Sequence, residues 1–109
     1  MTSRQEVPDC PVRYHHRMQV DMAALPGGDL ILRGLDDRRR GLASIEALLV
    51  SIGAPRLMQI GIAVPDPIPD AERQLYNRLH AEDADSAHAR YNALVRRLVS
   101  FERAAACVT

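Results

Sequence analysis

Apolar positions recur along this chain at helical spacing, and the breaks in the pattern fall at glycine and proline. Residues 1–11 hold Pro8 and Pro11 and no periodicity, which predicts a flexible arm ahead of one domain over 12–109. In "VRYHHRMQVDMAAL" Val12, Met18, Met22 and Leu25 fall at roughly helical intervals, while "RMQVDM" fits a short strand as well, so helix and strand both stay open over 12–25. "PGG" at Pro26 to Gly28 ends that element. Asp29 is the candidate N-cap of "LILRGLDDRRR", with Leu32 and Leu35 on one face. Arg38, Arg39 and Arg40 crowd its last turn, where positive charge complements the helix dipole, and Gly41 is the natural stop.

The stretch "GLASIEALLVSIGAPRLMQIGI" comes next. Leu42, Ile45, Leu49 and Ile52 share a stripe, and Glu46 is the only charge in eleven residues, so 42–52 reads as a helix buried on several sides. Pro55 suits the first turn of a short following helix that Gly61 stops. Pro65, Pro67 and Pro69 then forbid helix and predict an extended strap carrying Ile62, Val64 and Ile68 across the core. The rest reads as a helical hairpin. Its first arm, 69–81, turns Ala71, Leu75 and Leu79 inward. Its second, 85–106, has a seam of Ala87, Tyr91, Leu94, Leu98, Phe101 and Ala105, with Asp83 or Asp85 as its cap. The expectation is an all-α fold: a compact bundle of about five helices, with the hairpin (69–81, 85–106) packed on a buried central helix (42–52).

Composition narrows this further. One Phe, three Tyr and no Trp leave the core to aliphatic side chains. Fourteen arginines, with no lysine, balance fourteen acidic residues, so the basic excess of a phosphate-gripping protein is missing and nucleic acid is not an expected partner. No run approaches the ~20 apolar residues of a membrane span, and the polar start "MTSRQEVPDCP" does not resemble a signal peptide. Cys10 and Cys107 lie near opposite ends and form no disulfide framework, which predicts reduced thiols and a cytoplasmic protein.

Four stretches could carry function. The first is Gly41–Ile62 as a helix-turn-helix DNA-binding regulator (42–62), in which only Arg56 and Gln59 could read a base; Leu57, Met58, Ile60 and Ile62 are expected to face inward. The second is "RQLYNRLH", where Arg73 precedes His80 by seven positions. This eight-residue stretch resembles the Arg-x(4-6)-His motif of HEPN-type ribonucleases, small all-helical bundles. That resemblance implies RNA cleavage, with His80 as acid or base toward a 2′-hydroxyl and Arg73 steadying phosphate charge. The third is the corner "HAEDADSAH", where His80, Glu82, Asp83, Asp85 and His88 could hold a cation, although capping accounts for the acids; no metal or cofactor is expected. His15 and His16 point about 100° apart on a helix and read as surface residues. Neither Ser44 nor Ser51 sits in a nucleophile elbow. The fourth is the apolar width of the last helix, where Val95 and Val99 broaden the seam. It predicts a protein interface through Tyr91, Leu94, Val95, Leu98 and Val99, with a second copy of the chain as partner in a homodimer. The leading expectation is a non-catalytic protein-interaction or regulatory module.

Overall fold

The computed structural model describes residues 21–108, and they form an all-helical bundle with no strand among them. The predicted arm at 1–11 and the residues 12–20 lie outside the described part. Of the stretch left open between helix and strand, Met22–Ala24 form a single 3-10 turn capped by the Asp21 side chain, and Leu25 is buried. Five α-helices follow: α1 (Gly28–Arg39), α2 (Ile45–Ile52), α3 (Ala54–Gln59), α4 (Ala71–Glu82) and α5 (Ala87–Val108).

Helix α2 is the hub, as its apolar pattern predicts. It touches α1, α3, α4 and α5, and Ala47, Leu48, Leu49, Val50 and Ser51 are all buried. Its start is later than the sequence pattern suggests. Ser44 is the N-cap, its hydroxyl accepting from the Ala47 amide at 3.0 Å, so Leu42 lies outside the helix and is solvent-exposed. A capping hydroxyl satisfies an amide that has no helical partner, and that local gain sets the boundary. Helix α1 comes very close to α2 because Gly34 has no side chain; a β-carbon there would run into the backbone carbonyl of Glu46.

Helix α1 ends as predicted. Gly41 takes a left-handed φ of 75°, the Gly41 amide donates to Arg38 and the Leu42 amide to Asp37, so the last carbonyls of the helix are satisfied. Gly61 closes α3 the same way, with Gly61 donating to Met58 and Ile62 to Leu57. The starts are read less well. The N-cap of α1 is Gly27 in a left-handed conformation, so Asp29 sits in the first turn instead of capping it. Helix α4 begins at Ala71, two residues after the expected Pro69, behind a left-handed Asp70. Asp83 accepts from the Asp85 amide within the turn, leaving neither as the cap of α5.

The proline strap crosses the core with Val64 buried and Ile62 and Ile68 packed half-buried against it. Two polar groups fasten it. The Ser51 hydroxyl donates to the Ala47 carbonyl at 2.9 Å and accepts from the Ile68 amide at 3.0 Å. Arg38 turns inward from the arginine run and donates to the Asp66 carbonyl through Nε (3.0 Å) and Nη2 (2.7 Å), and to the Leu42 carbonyl through Nη1 (2.8 Å). Only Arg39 and Arg40 behave as the solvated helix end that the run predicts, each pairing with Asp36. Phe101, Ile31, Leu49, Leu57, Leu75 and Leu79 fill the centre.

Candidate functional site

The corner at Gly53 places Arg56 and Gln59 on the outer side of α3, both exposed. Leu57 is fully buried, and Ile60 and Ile62 pack against the core as expected. Met58 does not. It is 56% exposed, because a six-residue helix can turn only Ala54 and Leu57 inward. The corner is therefore chiefly architectural, with one apolar side chain left outside.

Arg73 and His80 both lie exposed on α4. Seven residues span about 10 Å of helix axis. Arg73 leans toward the helix start, where its guanidinium pairs with the Asp70 carboxylate (Nε to Oδ2 2.8 Å), while His80 sits 6.2 Å from the Tyr76 ring. The structure thus turns the arginine away from the histidine.

At the α4–α5 turn Glu82 and Asp83 have protein partners. Glu82 accepts from Arg90 at 3.0 Å, Asp83 accepts from the Asp85 amide at 3.2 Å, and His88 meets Asn92 at 3.2 Å. Among the described residues no group of three His, Cys, Asp or Glu side chains is placed to hold a metal ion.

The five expected interface residues on α5 separate into two sets. Leu98 is 3% exposed and belongs to the core, which removes it from an outer surface; the a/d seam faces the bundle, not a partner. Leu94 packs against that core. Tyr91 does too, with its ring edge-on to Tyr76 at 5.8 Å. Burial, helped by Glu72, holds the Tyr91 hydroxyl above its ordinary range and keeps it protonated. Val95 is half-buried without joining the core cluster, and Val99 is 36% exposed. These two remain on the outer flank. On the other side of α5 an open groove of about 460 Å³ is lined by Pro26, Gly27, Ala93, Arg96, Arg97 and Ser100, and Arg97 reaches Asp29 at 3.4 Å.

One group escapes the sequence reading altogether. Glu102 is 8% exposed, with its carboxylate directed at the Gly53 backbone: a β-carbon on Gly53 would lie 2.9 Å from Oε2 and 2.8 Å from Leu98 Cδ1. It accepts no hydrogen bond and makes no ion pair among the described residues. Burial pushes its carboxyl above the ordinary glutamate range, and Arg56 opposes that shift. The sequence signal was its position one residue after Phe101, next to the seam. Cys107 corrects another expectation, since it is disulfide-bonded and not a free thiol; its partner lies outside the described residues.

Within the described residues no helix is long and apolar enough to cross a membrane. The fold and these surfaces define an all-helical bundle. No protein-family model, curated protein or solved structure matches the chain.

Proposed function

We propose that this protein is a non-catalytic interaction module that pairs with a second copy of itself through the outer flank of α5. The observation that carries the reading is Val95 and Val99: one helical turn apart, on either side of the middle of a 22-residue helix, and outside the core. An isologous contact suits such a placement, because a two-fold axis through the middle of α5 sets Val95 of one copy against Val99 of the other. Twenty-two residues give a helix of about 33 Å, long enough to contribute to the roughly 1,200 Å² that a specific interface buries.

Sedimentation velocity across micromolar concentrations tests this. The natural chain is expected to run as a dimer, and Val95→Arg with Val99→Arg is expected to weaken association at least about tenfold (1.4 kcal/mol) by placing cations in the contact. A strict monomer over that range overturns the self-association.

A further inference from the structure

We propose that Glu102 makes the α2–α3 corner a proton-operated clasp, seated on α5 when the carboxyl carries its proton and loosened when it is ionised. This proposal does not depend on self-association through Val95 and Val99.

The geometry is specific to this corner. Gly53 is the residue that joins α2 to α3, and it lies flat against Leu98 and Glu102 because it has no side chain. The carboxylate is thereby held between α5 and the bend, with neither a hydrogen bond nor an ion pair among the described residues. Buried polar groups in folded proteins are nearly always bonded, and Arg38 and Ser51 in this molecule follow the rule. A neutral carboxyl group in such a place costs little compared with a carboxylate, which must lose its hydration without compensation. The corner therefore gains a reason to open whenever Glu102 loses its proton.

The charges around the group set the range. From α3, Arg56 faces it and favours ionisation, though less strongly than burial opposes it. From α2, the sole charged residue is Glu46, near the opposite end of that helix and 4.0 Å from Arg33. On α5 itself the neighbouring Arg103 is exposed. The end of α3 beyond the bend is lightly held, since Pro55, Arg56, Met58 and Gln59 are all exposed and only Leu57 and the half-buried Ile60 anchor it. A small change at Gly53 can therefore release six residues without unfolding the bundle.

Hydrogen exchange on the full chain from about pH 4 to about pH 8 tests the clasp, read as protection factors so that the intrinsic rate divides out. Amides of Arg56 to Gly61 are expected to lose protection as pH rises, by up to about tenfold per pH unit between the ordinary glutamate value and the raised one, because one proton is linked to closing. Amides of α1 should stay level. Glu102→Gln, which keeps the shape and cannot ionise, is expected to hold high protection at every pH. Arg56→Ala, on the surface, removes the cation that favours ionisation and is expected to carry the loss of protection to higher pH and make it deeper than in the natural chain. A pH-independent natural chain, or a dependence that survives in Glu102→Gln, overturns the proposal.

Discussion

Arg38 and Glu102 are equally buried, each 8% exposed, yet the molecule treats them in opposite ways. Arg38 fastens the proline strap to α1. Its planar fork reaches two backbone carbonyls and the Asp66 carboxylate (3.2 Å), so the donors that lose water find acceptors. Asp66 helps by adopting a left-handed φ of 45°, a conformation that aspartate tolerates better than most residues. Glu102 finds nothing comparable at the α2–α3 bend. The lesson is that burial alone does not say whether a charge holds a fold together; the partners supplied by neighbouring elements decide it. One corner of this bundle is riveted, and the other is held by packing against a group that prefers water.

That contrast can be broken by substitution. The largest effect is expected from Arg38→Ala, which strands the Asp66 and Leu42 carbonyls and should cost about 3 kcal/mol in urea unfolding. A loss well under about 1 kcal/mol would mean that the strap is held by Val64 and Ile68 alone. Gly53→Ala comes next. Its β-carbon meets the far ends of Leu98 and Glu102, which can shift, so a loss of about 1 kcal/mol is expected, near the low end for overpacking. The smallest effect has the opposite sign. The folded-state value of Glu102 lies above its unfolded one, so its contribution is fully present below the unfolded value and is lost as pH rises through the folded value. Glu102→Gln should therefore raise the thermal midpoint at neutral pH and leave it unchanged under acid conditions where the natural carboxyl is protonated in both states. Equal midpoints at neutral pH would show that Arg56 already compensates the buried charge.

Much of the architecture was legible. The Gly41 and Gly61 stops rest on interactions within a few residues, the strap's prolines fix their own backbone, and an apolar pattern nearly all round marks α2 as buried. The candidate sites fared differently. Tyr91, Leu94 and Leu98 carry the same apolar signal as Val95 and Val99, and periodicity cannot say which part of a broad stripe a neighbouring helix will cover. Arg73 and His80 share a helix, but nothing in their spacing shows that Asp70 draws the arginine away. Likewise, Met58 faces solvent because α3 is too short to bury a full stripe.

Chain order alone thus determined which stretches become helical and where α1 and α3 stop, since a glycine stop is settled by near neighbours. Only the packed structure decided which of Arg38, Arg39 and Arg40 turns inward, that Gly53 is pressed against α5, and that Glu102 lies beneath it with no hydrogen bond or ion pair among the described residues. Those outcomes depend on elements distant in the chain meeting at a particular face. Side-chain desolvation is a property of that meeting, and no local pattern of residues encodes it.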